Sequence, residues 1–181
     1  MFKSGEPITQ FVDNGKTLTL AELTEKGTLI YSGGILDKSD EEQERFAKDY
    51  YREIRNRKSK SDIERISKNT DFPSEKISAV RKHIFEDDNH LFDDGSRGKF
   101  NEDVSTALAW QRLEQNRATK TDIMLLNHEY VELSFMNKKG YNYEKAHWLA
   151  NYRYPWQFII KGGFTDEQIR EIVKNQLKDL L

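Results

Sequence analysis

His128, Glu129 and Glu132 stand together in LLNHEYVELSFM, residues 125–136, where most other positions are apolar. On a helix turning about 100° per residue, His128 and Glu132 share one face and Glu129 lies one step round. Apolar side chains cover most of the rest of that circumference, so this helix is expected to be buried. Charged groups are rare in such places unless they are paired. A buried, unpaired carboxylate shifts its pKa upward or is strongly destabilising. A His–Glu pair relieves part of that cost. It also supplies an imidazole that titrates near neutrality and is held by a carboxylate, as general acid–base chemistry requires. His83, His90 and His147 each have an apolar or aromatic residue as a chain neighbour, and His128 lies within its largely apolar helix.

Three chemistries fit these residues. In the first, His128, Glu132 and His147 hold a divalent metal. His-x-x-x-Glu puts two ligands on one helix face, as His-Glu-x-x-His does in zinc sites, with Glu132 in place of the second His. In the second, RNA is cleaved without a metal. A base takes the 2′-OH proton, an acid protonates the leaving oxygen and a cation stabilises the phosphorane. His128 would be base or acid, with Glu129 or Glu132, His83 or His147, and Arg112 or Lys82 completing the set. RNA would track along Arg52, Arg55, Arg57, Lys58 and Lys60, in REIRNRKSK, with Lys82 nearby in function. In the third, the same groups form a buried polar network that fixes helix packing.

Several elements are needed to position these residues. The Ser39-Asp-Glu-Glu42 capping box opens a helix to about Arg57, and Ser61-Asp-Ile-Glu64 opens a second to about Asn69. Pro73-Ser74 starts a third, with Ile77, Val80 and Ile84 at helical spacing. GSRGKFNED, residues 95–103, reads as a loop, and 103–115 as an amphipathic helix. Thr119 to Lys138 is the buried helix, stopped by Gly140. Asn142 caps a helix through about Ala150, and a Thr165-x-x-Gln168 capping box begins the last. TLTL (17–20) and GTLIYSGG (27–34) read as short strands around AELTEK, a turn of helix. The expected fold is mainly α with a small β element near the N-terminus (α+β). It is a single compact domain of about seven helices, with a β-containing segment at 1–38 and the His/Glu cluster within a helical 39–181.

Composition narrows the function classes. There is no cysteine, which excludes disulfides, thiol catalysis and thiolate metal sites, and suits a cytoplasmic setting. No apolar run approaches a membrane span, and MFKSGEPITQF has no apolar signal core, so no membrane partner is expected. The net charge of −2 does not advertise nucleic acid, and only the local basic stretch does. Apolar residues reach 36%, charged residues 33% and aromatics 12%, so Phe, Tyr and Trp are expected to fill much of the core.

The ordered series LIYSGG (29–34), RKHIFED (81–87), HLFDDGSRGKF (90–100), ALAWQRL (107–113), DIMLLNHEYVE (122–132) and GYNYEKAHWLAN (140–151) resembles a known domain. It is the C-terminal domain of MuF-type phage minor head proteins and of Firmicute polymorphic toxins. The likeness covers about residues 29 to 154. It singles out His83, Phe85, His90, Phe100, Trp110, Gln111, Arg112, Asp122, His128, Glu129, Glu132 and His147. Asn127 departs from it, standing where the family usually has a basic residue. The resemblance implies a free-standing phage or mobile-element effector, toxin-like and acting in the cytoplasm of a bacterial host. The resulting expectation is a nuclease cleaving RNA by His/Glu acid–base chemistry, with or without a divalent metal, in the manner of an anti-CRISPR protein attacking guide RNA. The alternatives are a non-enzymatic module binding a host nucleoprotein, and a metal-dependent hydrolase or peptidase.

Overall fold

Helix caps and apolar spacing account for most of the architecture in the computed structural model, which describes residues 11–13, 16–18 and 34–181. Among these residues eight α-helices dominate, joined by one 3-10 turn, one π-turn and four short strands. The chain forms two compact units. The first comprises Met1–Phe72 and Asn101–Ala118, the second Pro73–Phe100 and Thr119–Leu181. The small β element near the N-terminus is the antiparallel pair β1 (Phe11–Asp13) and β2 (Lys16–Leu18), with Phe11 opposite Leu18. The expected AELTEK turn and nearly all of the expected strand at 27–34 lie outside the described residues.

In the first unit, α1 (Asp40–Asn56), α2 (Ser61–Thr70) and α4 (Val104–Glu114) surround one core. The α1 capping box forms as expected, with Ser39 accepting from the Glu42 N–H. Its Phe46, Ala47, Tyr50, Tyr51 and Ile54 recur at helical spacing and are all buried. They share the core with Ile66, Ala107, Trp110 and Leu113. Helix α2 departs from expectation. Ser61 is its first helical residue, and Lys60, with φ 46°, stands at the cap without a side-chain bond. The helix start is anchored instead by buried Asp62, which accepts from Trp110 Nε1 at 3.2 Å.

In the second unit, α5 (Lys120–Lys139) is the central helix. Thr119 and Asp122 form its capping box, and Gly140 ends it at φ 66°, a left-handed conformation with little penalty only for glycine. It packs against α3 (Ser74–Arg81), α6 (Tyr143–Arg153) and α7 (Trp156–Lys161), and α6 packs in turn on α8 (Asp166–Leu180). Helix α7 was not anticipated. It begins after Pro155, whose missing N–H costs nothing at a helix start. Two further features were also missed. Helix α3 runs into a π-turn, Lys82–Glu86, where the Asp87 N–H reaches back five residues to the Lys82 carbonyl at 2.9 Å. The segment expected as a loop carries a two-residue ladder between β3 (His90–Leu91) and β4 (Arg97–Gly98). No helix of the described residues is long and apolar enough to cross a membrane.

Candidate functional site

Four elements of the second unit deliver the four histidines. Helix α5 carries His128, Glu129 and Glu132, α6 carries His147, and the π-turn with β3 carries His83 and His90. The extra residue of a π-turn displaces side chains from the 3.6-residue pattern, a feature common at functional sites. Here it leaves His83 buried, with Nε2 3.0 Å from Glu132 Oε1. The π-turn leaves the His83 carbonyl without a helical donor, and the His90 Nε2–H supplies one at 2.9 Å. The His90 ring stacks on Phe100 at 3.8 Å, and both rings meet His83 edge-on.

Glu132 is the hub. It is 2% exposed, and its Oε2 lies 2.8 Å from His147 Nδ1 and 3.5 Å from His128 Nε2. Those two nitrogens are 3.4 Å apart. The far side of each ring fixes what these atoms present. His128 Nδ1 is 2.7 Å from the Tyr154 carbonyl, which can only accept, so Nδ1 carries a proton. In the neutral ring, Nε2 is therefore a lone pair. His147 Nε2 faces Gln157 Oε1 and the Asn151 amide, each at 2.9 Å. Asn151 is buried, and its Oδ1 finds no partner as placed. As placed, Asn151 Nδ2 donates to Nε2 and the ring proton sits on Nδ1; with the amide turned over, its oxygen and that of Gln157 both accept from Nε2–H, the tautomer in which Nδ1 is a lone pair. Two lone pairs and a carboxylate oxygen then converge, and such a set needs a proton or a cation among them.

Electrostatics follow from the same geometry. Burial works to raise the Glu132 pKa, yet the hydrogen bonds it shares with His128, His147 and His83 hold it well below the usual carboxylate range. Burial works to lower His128, and the bond to Glu132 with the charge of Glu129 outweighs it, so its pKa is raised. Glu129 is pushed up to about 7, first by burial and then by the negative charge of Glu132. His90 is lowered by burial and by its neighbour His83. Glu129 Oε2 lies 3.8 Å from His83 Nε2. Glu129 and His147 keep 13% and 12% of their side-chain surface open, so the cluster meets solvent on their side.

A divalent ion fits the first triad. Atoms spaced 2.8, 3.4 and 3.5 Å apart lie on a circle of radius about 1.9 Å, so His128, Glu132 and His147 would hold an ion at bond lengths of about 2.1 Å. Each ligand also has an outer partner: Tyr154 O behind His128, Gln157 behind His147, and His83 behind Glu132. Such partners fix the tautomer and aim of metal ligands.

Other expected site residues lie elsewhere. Arg112 is half-buried on α4 of the first unit, with Arg52, Arg55, Arg57, Lys58 and Lys60 on and after α1. Three of these cations are committed to carboxylates: Arg52 to Asp49, Arg55 to Glu102 at 3.4 Å, and Arg57 to Glu53 and Glu114 at 2.7 and 2.5 Å. Lys82 is exposed on the π-turn of the second unit. Sequence reasoning missed Tyr154, Asn151 and Gln157. Only Asn151, four residues beyond His147 on the same helix, carried a signal. In comparisons with known proteins, the chain matches no family model, no curated protein and no solved structure.

Proposed function

We propose that the protein is a metal-dependent hydrolase whose centre is His128, Glu132 and His147. One observation carries this reading. His128 Nε2, His147 Nδ1 and Glu132 Oε2 converge within 3.5 Å of one another, while His128 Nδ1 faces the Tyr154 carbonyl and His147 Nε2 faces the Gln157 oxygen and the Asn151 amide. A divalent cation held there supplies Lewis acidity, polarising a substrate oxygen and making a water acidic enough to attack at neutral pH. The chain's own residues set the stage. His83 holds Glu132 by Oε1, and Tyr154 and Gln157 keep both rings aimed inward. Glu129 and His147 form the partly exposed edge by which a substrate would approach. Metal-free RNA cleavage has less support, because the imidazoles face a shared carboxylate rather than opposite sides of a substrate phosphate. The RNA-cleaving mobile-element effector, with guide RNA as one target, stays within the proposal as a substrate choice.

Metal content and hydrolysis test it together. Protein stripped with chelator and dialysed against zinc or manganese is expected to retain ion, and cobalt is expected to give a ligand-field spectrum of low coordination number. Host RNA, guide RNA and a peptide library are then offered with and without EDTA. Activity should vanish on chelation and in His128→Ala and His147→Ala. A protein that retains no divalent ion refutes the reading. The burial of Glu132 under three imidazoles favours a second reading, a structural network in a nucleoprotein-binding module. Inhibition that persists with intact RNA and no bound metal would establish that alternative.

A further inference from the structure

The first triad uses only one oxygen of Glu132. The other, Oε1, lies 3.0 Å from His83 Nε2, and Glu129 Oε2 is 3.8 Å from that same nitrogen. One ligand atom each of His83, Glu129 and Glu132 falls within 4.8 Å of the others. The Glu129 carboxylate has no hydrogen-bond donor among the described residues, and its one close partner is His83. Two carboxylates are thus set side by side with imidazoles as their neighbours. The His83 ring is held in place by the edges and faces of His90 and Phe100.

We propose a second divalent-cation site at His83, Glu129 and Glu132 Oε1, with Glu132 bridging it to the first and a phosphodiester as the substrate class. The inference rests on the reading of His128, Glu132 and His147 as a metal centre. A carboxylate that gives one oxygen to each of two ions sets them roughly 3.5–4 Å apart, the spacing of two-metal phosphoryl-transfer sites. Two dications against two carboxylates leave the centre positive, which favours an anionic substrate over a neutral peptide bond. The hydrolysis balances with one water. Its oxygen bonds to phosphorus as the ester P–O bond breaks, one proton goes to the leaving alkoxide, and the other stays with the phosphate monoester.

Metal stoichiometry decides the matter. Equilibrium dialysis against Mn²⁺ should give two ions per chain in the wild type, and one in Glu129→Gln and in His83→Gln. Electron paramagnetic resonance of the Mn²⁺-loaded wild type should show a spin-coupled pair, replaced by an isolated-ion spectrum in both variants. Hydrolysis of bis(4-nitrophenyl) phosphate should require the second ion and fall at least a hundredfold in Glu129→Gln. One ion in the wild type overturns the second site and leaves the first intact, with His83 then a hydrogen-bond donor to Glu132. Two ions in Glu129→Gln likewise overturn it. No ion in the wild type overturns both readings. Peptide hydrolysis without phosphodiester hydrolysis overturns the substrate class. The wild-type count needs no variant to fold, and circular dichroism checks the two that are used.

Discussion

Glu114 and Glu132 are both buried carboxylates ringed by donors, one in each unit, yet their partners differ in kind. Glu114 accepts from Arg57 and Arg65 at 2.5 Å and from the Tyr50 hydroxyl at 3.1 Å. Arg57 also holds Glu53 through two of its nitrogens, and Asn69 caps the α4 carbonyls of Leu113 and Glu114. Burial alone would raise Glu114, and the two guanidinium groups outweigh it and lower its pKa. A guanidinium keeps its charge at any physiological pH, so this network is a fixed pin between helices. Among the described residues Glu132 meets only imidazoles in the same role, and an imidazole can take a proton, lose it or bind a metal. Burial and partner count are alike. The ability of the partners to change state separates a strut from a reactive site.

The largest expected effect breaks that comparison if it fails. Glu114→Gln leaves Arg57 and Arg65 without their shared counter-charge and should cost about 3 kcal/mol in urea unfolding. Glu132→Gln leaves imidazoles that can shed their protons, and should cost nearer about 1 kcal/mol without added metal. Equal losses would mean that Glu132 is as structural as Glu114.

Metal sharpens the contrast from the other side. Zinc at roughly a hundred times its dissociation constant stabilises a protein that binds it only when folded by about 2.7 kcal/mol. Wild type and Glu114→Gln should both show this gain in thermal melts, and Glu132→Gln should show none. A gain retained in Glu132→Gln would place the ion elsewhere.

The two carboxylate environments should also diverge with pH. Glu114 has a lowered folded pKa, so its contribution is present above the ordinary carboxylate value and fades only as pH falls through the folded one. Between pH 5 and 8 it should be flat. Glu129 rises from an ordinary 4.5 to about 7, so the folded state holds a proton that the unfolded state has released. Glu129 should therefore make metal-free stability fall as pH climbs from about 4.5 to 7; raised His128 acts with the same sign above its ordinary value, and lowered His90 opposes them below its own. With zinc present the slope should reverse, because the ion needs those protons gone. Unfolding titrations with zinc and with chelator measure both slopes. A metal-free slope rising through this window would contradict the assignment.

Much of this was legible in the residues, for reasons that are local. Ser39 and Thr165 each face a carboxyl or amide three residues on, and both of those expected capping boxes form, whereas the one expected at Ser61 does not. The i, i+4 spacing of His128 and Glu132 was enough to place them on one face. What stayed hidden depends on contacts distant in sequence or on backbone. Ile77, Val80 and Ile84 read as one continuous helix, so the π-turn that sets His83 against Glu132 left no trace. The Tyr154 carbonyl that fixes the His128 tautomer belongs to the main chain, where residue type says nothing. Arg57 read as part of a basic stretch that RNA would track along, and only the fold brings Glu114, 57 residues away, against it.

The smallest effect reaches the site through its outer shell. Gln157 is exposed on α7, so changing it should leave stability untouched, and any consequence must travel through His147. Its oxygen accepts from Nε2–H and so helps to keep the Nδ1 lone pair facing Glu132. Gln157→Ala removes that acceptor and should weaken metal binding about tenfold, the lower end for loss of an outer-shell partner. Gln157→Glu puts a full negative charge on the same hydrogen bond, makes the imidazole a stronger donor to the ion and should tighten binding. Gln157→Lys can only donate, so it turns the ring toward the opposite tautomer and should weaken binding most of the three. Competition against a chromogenic chelator ranks them. The order Glu, wild type, Ala, Lys would mean that proton placement on one ring nitrogen tunes the site, whereas four equal affinities would mean that His147 binds no ion.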